Sequence, residues 1–375
     1  MQDKKITIIG AGIGGLTTAL ALKQIGFQVT VYEGAAEIKP VGAGIMIANN
    51  AMQVFKKLGI HTKIANVGHK ITNIKLTDAN FDIISSLELD KFEDKYGVFN
   101  VAIHRADLLK VLSEEVGLQN IILSKRLTNI KKEEKTFQLI FEDGTVVNSD
   151  IVIGADGIRS IVREQLFMSG RIRDTKQRCW RGVKEFDLHS KYNYQAYEAW
   201  GKGKRFGFSK TSDDKIYWFA VINEELMKNV DLIELFKEFH PDVLKMISET
   251  PKDNIIFNDI IDLKPIPRWH DGKACLIGDA AHATTPNMGQ GACQAIEDAY
   301  VITKLFEQGK SAEEVFTQYE KIRIKKARSI VNRSWTLGKT AHYKNPILIW
   351  LRNRLMKMIP YSFINKQLDK IFNIE

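Results

Sequence analysis

A glycine-rich segment near the N-terminus constrains the fold more than any other feature of the sequence. Gly10, Gly12 and Gly15 match the pattern G-x-G-x-x-G. The segment follows an apolar run from Lys5 to Ile9, which we interpret as a buried strand, and precedes a helical pattern from Leu16 to Ile25. In such a βαβ unit the glycines permit a tight turn, close approach of a pyrophosphate, and packing of helix on strand. The sequence therefore predicts a Rossmann-like unit.

An acidic residue completes the predicted unit. Gln28 to Tyr32 is interpreted as the second strand, and Glu33 follows it, 18 residues after Gly15. A carboxylate at this spacing accepts hydrogen bonds from ribose hydroxyls, while the helix N-terminus beside Gly12 and Gly14 favours phosphate. The unit predicts a bound dinucleotide, but by itself it does not distinguish FAD from NAD(P).

Two later segments repeat the succession of buried strand, glycine and acid. The first runs from Gly154 to Gly157, with Asp156, and follows the apolar run Ile151 to Ile153. The second begins with Gly278 and Asp279, directly after a strand predicted from Ala274 to Ile277. Because Asp279 follows a strand end, its carboxylate can accept hydrogen bonds from a polyol chain.

The last of these segments continues into a loop before a long helix, predicted from Gly291 to Glu307. Pro286 sets a rigid turn, and Gly289 and Gly291 expose backbone N–H groups at the start of this helix. The positive end of the helix suits an anionic, reduced isoalloxazine ring. These features favour a flavin.

Between Asp156 and Asp279 the sequence pattern changes to short strands separated by turn residues. They predict an antiparallel sheet inserted between two Rossmann-like parts. The predicted strands are 180–185, 195–200, 205–208 and 216–221.

The three motifs together, in this order over residues 5 to 335, resemble the class A flavoprotein monooxygenases of the para-hydroxybenzoate hydroxylase fold. That group includes salicylate hydroxylases, zeaxanthin epoxidase, tetracycline-inactivating monooxygenases and FAD-dependent urate hydroxylase. The resemblance implies noncovalent FAD, transient reduction by NADH or NADPH, and a flavin C4a-hydroperoxide that hydroxylates or epoxidises a small aromatic or conjugated substrate. The alternatives are an FAD-dependent reductase or halogenase, although the halogenase motif Trp-x-Trp-x-Ile-Pro is not found, and a non-enzymatic FAD or Rossmann-fold binding protein.

The resemblance also implies which residues contact FAD. Arg105 begins a predicted helix and matches the arginine at the ribityl and phosphate region, and Leu127 falls on the adenine side. Asp156 matches an acid associated with FAD and NAD(P)H, with a helix cap as the alternative. Gly44 belongs to the segment Val41 to Ile45, which resembles the one beside the flavin ring, although the family's following proline is absent. The implied cofactor contacts are Gly10, Gly12, Gly14, Gly15, Glu33, Gly44, Arg105, Leu127, Asp156, Asp279, Pro286, Gly289, Gln290, Gly291 and Ala292.

Substrate contacts are expected on the inserted sheet. Arg205 and Tyr217 fall near the substrate-binding arginine and tyrosine of the urate hydroxylase relatives, and Arg205 would suit an anionic substrate. His282 is expected to be structural. Side chains of the sheet that could face a substrate are Trp180, Arg181, Arg205, Phe206, Tyr217 and Phe219, with ordinary core packing as the alternative for the aromatic ones.

The predicted fold class is α/β with an α+β insertion. A Rossmann-like FAD-binding domain is expected at residues 1–175 and 265–335, and an antiparallel-sheet substrate domain at 176–264. Residues 60–100 are a further candidate part of the substrate domain, and 336–375 are expected to form a basic helical tail.

The positive charge of the chain is concentrated at its C-terminal end. The 375 residues carry a formal net charge of +9, and residues 321–375 contain 13 Lys or Arg and 2 Asp or Glu. This tail is expected either to pack against the FAD domain with its basic face in solvent or to make weak contact with a membrane surface. No nucleic-acid module is recognised.

Cysteine use and the N-terminal sequence predict a cytoplasmic protein. Cys179, Cys275 and Cys293 are few and far apart, which is typical of buried thiols in a reduced compartment. Nothing at the N-terminus resembles a signal peptide. The scattered histidines predict no metal site, and the expected partners are O2 and a small aromatic or lipophilic substrate, with the protein a monomer or a homodimer.

Overall fold

The computed structural model describes residues 4–38, 43–168, 170–227 and 231–374. Val41 and Gly42 of the predicted flavin-side segment lie outside these ranges. The chain divides into two compact units. Unit 1 comprises residues 1–41, 106–173 and 261–334, and unit 2 comprises residues 42–105, 174–260 and 335–375.

Strands occur in both units. In chain order they are β1 Ile6–Ile9, β2 Val29–Tyr32, β3 Gly44–Ile47, β4 His69–Ile71, β5 Asn73–Asp78, β6 Ile83–Glu88, β7 Asn100–His104, β8 Ile121–Ile122, β9 Leu127–Lys132, β10 Phe137–Phe141, β11 Val146–Ser149, β12 Ile151–Gly154, β13 Ile172–Glu185, β14 Gln195–Trp200, β15 Lys204–Lys210, β16 Lys215–Asn223, β17 Ile255–Leu263, β18 His270–Asp271 and β19 Ala274–Leu276.

The helices are α1 Ile13–Gln24, α2 Asn49–Lys57, α3 His61–Val67, α4 Asp90–Tyr96, α5 Arg105–Val116, α6 Ile161–Phe167, α7 Leu232–Phe236, α8 Pro241–Glu249, α9 Asp279–His282, α10 Gly291–Phe306, α11 Ala312–Ala341, α12 Pro346–Met358 and α13 Tyr361–Phe372. Within the described ranges, none of them is both long and apolar enough to cross a membrane.

Unit 1 is built around a six-stranded sheet in the order β18-β19-β12-β1-β2-β8. β1 pairs in parallel with β2 and β12, and β12 pairs in parallel with β19. β1, β12 and β19 are buried at every position and largely apolar, as expected where helices cover both faces of a parallel sheet. The predicted Rossmann-like arrangement is confirmed, with α1 beginning at Ile13, three residues before the predicted start.

Glycine allows α1 and α10 to approach closely on this sheet. A Cβ atom at Gly14 would lie 2.9 Å from the Cβ of Ala295, and one at Gly278 would lie at the same distance from it. Small residues at these three positions therefore permit the contact between α1, the end of β19 and α10.

Unit 2 contains a seven-stranded sheet in the order β17-β13-β16-β15-β14-β5-β6. The predicted inserted sheet is confirmed, but it also contains β5 and β6 from earlier in the chain. The pairing of β14 with β5 is parallel, whereas β13 with β16, β16 with β15, and β15 with β14 are antiparallel. One face of the sheet packs on α7 and α8 in an apolar core that includes Phe206, Trp218 and Phe236.

The predicted helical C-terminus is confirmed by α12 and α13, which pack within unit 2. Arg352 of α12 is buried, lies 4.8 Å from the ring of Trp200, and donates to the carbonyl oxygens of Thr340 and Ala341 at 3.0 Å each. At the end of α13, the ring of Phe372 packs edge-on against Phe92.

Candidate active site

Acidic and glycine residues predicted to bind the cofactor gather at one edge of the unit 1 sheet. Gly10 follows β1, Glu33 follows β2, Asp156 follows β12, and Gly278-Asp279 follows β19 closely. These four strands are parallel neighbours, so their carboxyl ends meet at the same edge, where doubly wound sheets bind ligands.

The motif glycines at this edge have different structural roles. Gly10 has φ +106°, and a Cβ there would lie 2.4 Å from the carbonyl oxygen of Ala155. A Cβ at Gly15 would lie 2.0 Å from the carbonyl oxygen of Gly10, whereas a Cβ at Gly12 would meet no atom within 4 Å. The first and third glycines are therefore required by protein packing, while the second borders open space. Such an opening beside a helix N-terminus fits a pyrophosphate.

Glu33 connects this glycine loop to the end of β2. Its carboxylate accepts hydrogen bonds from the backbone N–H groups of Ala11 at 2.7 Å and Ala35 at 2.9 Å. The side chain is half-buried. Glu33 therefore orders the loop in addition to offering carboxylate oxygens at the edge where the ribose is predicted.

Asp156 is bound to the N-terminus of α6. It accepts hydrogen bonds from the Ser160 hydroxyl at 2.5 Å and the Val162 N–H at 3.1 Å. Burial raises the pKa of Asp156, and these hydrogen bonds lower it less than burial raises it. The helix-cap alternative considered for this residue describes these contacts, and its predicted role toward FAD and NAD(P)H stays a prediction.

Replacing Asp156 with alanine is expected to destabilise the apoprotein by about 1–2 kcal/mol, because α6 would lose acceptors at its N-terminus. Asp156→Asn should destabilise the apoprotein less, since asparagine keeps an acceptor and removes a half-buried carboxylate whose ionisation is disfavoured. Urea unfolding of cofactor-free protein measures both effects. Unchanged stability in Asp156→Ala would show that the cap contributes nothing.

The loop before α10 presents several of the predicted flavin contacts. Pro286 and Gly289 are exposed, and Gly291 and Ala292 are half-buried at the first turn of α10. Gln290, by contrast, is buried. The first turn contains no acidic residue, and the Gln290 side chain makes no cap hydrogen bond. The positive end of α10 is therefore not neutralised by a local carboxylate, which suits a ligand with an anionic state.

A buried charge network lies behind this loop. Asp298 of α10 is within hydrogen-bond distance of His282 Nε2 at 2.7 Å, and accepts from the Gly278 N–H at 2.9 Å and Arg323 Nε at 2.8 Å. Arg323 also pairs with Glu297. Burial alone would raise the pKa of Asp298, but His282 and Arg323 outweigh it and the pKa is lowered. The network holds the backbone of Gly278, next to Asp279.

Sequence reasoning missed most of this network. His282 was expected to be structural, and its buried contact with Asp298 is consistent with that role. The signal that could have revealed the rest is the pair Glu297 and Asp298, two adjacent carboxylates within a helix that is otherwise largely apolar. Such a pair requires a buried cation, which Arg323 of α11 supplies.

Unit 2 brings together a second group of predicted residues. Tyr217 packs against Gly44, because a Cβ at Gly44 would lie 2.4 Å from Cγ of its ring. The Arg105 N–H donates to the carbonyl oxygen of Ala43 at 3.2 Å, beside Gly44. The strand register sets Gly44 opposite His104. A predicted substrate contact, Tyr217, and two predicted cofactor contacts, Gly44 and Arg105, are therefore close neighbours in this unit.

Two arginines of the unit 2 sheet, Arg205 and Arg181, have different partners: a carboxylate for the first and neutral side chains for the second. Arg205 is 2% exposed and donates to Glu198 Oε1 at 3.1 Å. Arg181 donates to Asn258 Oδ1 at 3.0 Å and contacts the Tyr217 hydroxyl. Burial by itself would lower the pKa of Arg181, but the neighbouring Cys179 and Tyr217 side chains outweigh it, and the pKa is raised. Burial raises the pKa of the Tyr217 hydroxyl.

Strand alternation divides the remaining candidates between the two faces of the sheet. Phe219 is two residues from Tyr217 on β16 and shares its face, with ring centroids 6.2 Å apart. Trp180 and Phe206 face the apolar core with α7 and α8, as the core alternative for these aromatics expected. Leu127 is buried at the start of β9, in the sheet β11-β10-β9 of unit 1.

Comparison with known proteins identifies the family. Residues 3–334 match the FAD binding domain family. The chain belongs to this family. It is 33% identical over 360 residues to the aurachin C monooxygenase/isomerase of Stigmatella aurantiaca, covering 94% of each chain. It is 29% identical over 381 residues to the 2-heptyl-3-hydroxy-4(1H)-quinolone synthase of Pseudomonas aeruginosa, covering 98% of this chain and 97% of that protein.

A solved structure extends this relationship to the whole fold. The crystal structure of Klebsiella pneumoniae HpxO complexed with FAD and uric acid matches with a TM-score of 0.92 and 27% identity, covering 99% of this chain and 97% of that one. The protein is an FAD-dependent monooxygenase of the class A flavoprotein group, whose members typically use NAD(P)H and O2. Bound FAD supplies the redox chemistry and the activation of O2, and the protein supplies position and polarity.

Proposed function

We propose that this monooxygenase hydroxylates a neutral, lipophilic aromatic heterocycle of the alkyl-quinolone class. In the reaction NAD(P)H supplies two electrons, one atom of O2 enters the substrate as a hydroxyl group, and the other atom leaves as water. A relative that matches nearly the whole chain supports this class, because its name contains an alkyl quinolone. The aurachin C monooxygenase/isomerase, at 33% identity, supports the monooxygenase reaction.

The observation that carries the choice of a neutral substrate is the pair of Arg205 and Glu198. Glu198 also accepts a hydrogen bond from Trp200 Nε1 at 2.8 Å, which holds the carboxylate in place. Because the half-buried carboxylate of Glu198 pairs with the buried guanidinium, Arg205 has less excess charge to attract an anion. This argues against the anionic substrate that Arg205 alone had suggested.

A second candidate function is hydroxylation of an anionic purine such as uric acid, which HpxO binds. Arg181 favours it, because the Asn258 and Tyr217 side chains that contact its guanidinium are neutral and its pKa is raised. In this alternative Arg181 and Tyr217 would contact the substrate directly.

The two candidates are separated by a substrate panel. We expect 2-heptyl-4(1H)-quinolone to stimulate NAD(P)H oxidation and to yield a product heavier by one oxygen atom, whereas uric acid should give no stimulation. Glu198→Gln, which leaves the Arg205 charge unbalanced, should improve binding of anions relative to the quinolone. Stimulation by uric acid alone would contradict the proposal.

The cofactor assignments made from the sequence are part of this proposal. Open space at Gly12 supports the pyrophosphate position, and the edge formed after β1, β2, β12 and β19 supports the remaining contacts in unit 1. Gly44 and Arg105 are retained as cofactor contacts in unit 2, with Arg205 and Tyr217 as substrate-positioning residues. The proposal places the enzyme in the cytoplasm, where NAD(P)H is available, as a monomer or a homodimer.

The predicted domains are retained as well. Residues 1–175 and 265–335 are proposed as the FAD-binding domain, 176–264 as the substrate domain and 336–375 as the tail. The presence of β5 and β6 in the sheet of β14 supports a contribution of residues 60–100 to the substrate domain. Weak contact of the tail with a membrane surface is supported by its exposed apolar side chains.

A further inference from the structure

Helix α12 leaves most of its large apolar side chains in solvent, and only Ile349 and Met356 among them are half-buried. Its buried side contains Arg352, which is 7% exposed, whereas Ile347, Trp350 and Met358 are 73%, 61% and 70% exposed. A helix that packs on a protein normally buries its apolar stripe. We call the exposed stripe the α12 apolar face, and it consists of Ile347, Leu348, Trp350, Leu351, Leu355 and Met358.

Helical spacing gathers these side chains into one continuous surface. Ile347, Leu351 and Met358 lie at i, i+4 and i+11, which differ by only about 40° around the axis. Trp350 and Leu355 flank them on either side. Exposed apolar residues continue beyond the helix at Ile359, Tyr361 and Phe363. A contiguous patch of this kind marks an interaction site.

Basic side chains accompany the apolar face. Arg354 lies within it, with its guanidinium 5.7 Å from the ring of Trp350, and Lys357 borders it. Lys366 and Lys370 are exposed on α13. The acidic Asp369 of α13 is engaged by Lys95 at 2.5 Å and by the Tyr96 hydroxyl at 2.8 Å. The exposed charge of the two helices is therefore predominantly positive.

We infer that the α12 apolar face docks the enzyme on an anionic lipid surface. An amphipathic helix with aromatic and aliphatic side chains, flanked by Lys and Arg, inserts at the boundary of headgroups and acyl chains. A second copy of the chain is the less suitable occupant, because a two-fold interface would set the same basic residues against each other. The inference deepens the weak membrane contact of the tail that forms part of the proposed function, and it does not depend on the proposed substrate class.

The test is flotation of the full-length holoenzyme with vesicles of phosphatidylcholine alone or mixed with phosphatidylglycerol. We expect binding to the mixed vesicles, weakening as salt increases. The double variant Trp350→Ser/Leu351→Ser should lower the partition coefficient by about tenfold or more. Arg354→Glu/Lys357→Glu should abolish the preference for anionic vesicles. Leu118→Ser and Met168→Ser, at exposed apolar positions outside the tail, are the matched controls and should bind normally.

Intrinsic fluorescence provides an independent readout. Trp350→Phe should retain vesicle binding but lose the blue shift of tryptophan emission that accompanies it. Equal binding by wild type and Trp350→Ser/Leu351→Ser, or a dimer in solution that this double variant disrupts without any vesicle binding, would overturn the inference. Because binding is measured without substrate, its failure leaves the proposed substrate class untouched. A failure of the substrate panel likewise leaves the docking result intact.

Discussion

Gly12→Ala is expected to weaken FAD binding by about 10- to 100-fold, or roughly 1.4 to 2.7 kcal/mol, while leaving the apoprotein folded. The added Cβ meets no protein atom within 4 Å, and Gly12 has the ordinary φ of −72°. Apoprotein stability should therefore remain within about 1 kcal/mol of wild type, the usual range of changes at a helix N-cap. Binding is measured by titration of FAD, and stability by urea unfolding of apoprotein.

Gly15→Ala is the matched control, since it makes the same chemical change three residues away. Its Cβ would lie 2.0 Å from the carbonyl oxygen of Gly10. Backbone must move to relieve this overlap, so we expect a loss of about 3 kcal/mol of apoprotein stability. Wild-type FAD affinity in Gly12→Ala would show that the open space beside Gly12 is not where the cofactor binds.

Arg323→Met is expected to lower the free energy of unfolding by about 3–5 kcal/mol, because it removes the guanidinium that the buried carboxylates of Glu297 and Asp298 share. Glu297 and Asp298 are 1% and 0% exposed, and Arg323 is 2% exposed. Lys326 remains to pair with Glu297 at 2.9 Å, but Asp298 loses its contact with the guanidinium. The measurement is urea unfolding of the apoprotein, with Lys325→Met on the exposed side of the same helix as the control.

The same pair predicts a dependence on pH. The pKa of Asp298 is lowered in the folded protein, so its ionised form stabilises the fold above its unfolded pKa, and that contribution is lost as pH falls below about 4. In Arg323→Met the lowering should diminish, so the variant should lose less further stability on acidification than wild type. An equally steep acid dependence in both proteins would contradict the assigned role of Arg323.

Most of the dinucleotide edge was predictable from the sequence. Each contributing segment is local: a buried strand ends and a glycine or acid follows it within a few residues. The strands predicted before Gly10, Asp156 and Asp279 are present as β1, β12 and β19, and the structure adds that they are neighbours in one sheet. The number of strands in the inserted sheet was harder to predict, because β5 and β6 precede their neighbour β14 by more than a hundred residues in the chain.

The sheet faces and charge partners were not predictable in the same way. Trp180, Phe206 and Tyr217 have similar sequence surroundings, and only the strand register assigns the first two to the core and the third to the face beside Gly44. The pairing of Arg205 with Glu198 also depends on two strands lying side by side. It changes the expected substrate from an anion to a neutral ring.

The sequence by itself determined the family, the cofactor and the order of motifs, because these depend on short segments whose backbone geometry is set by neighbouring residues. Tertiary structure decided which glycine borders open space, which arginine is balanced by a carboxylate, and which side of α12 is exposed. These properties arise from contacts between distant segments. The motif requires glycine at positions 10, 12 and 15 alike. Only contacts with Ala155 and with the backbone of Gly10 separate the two glycines required by packing from Gly12, which borders open space.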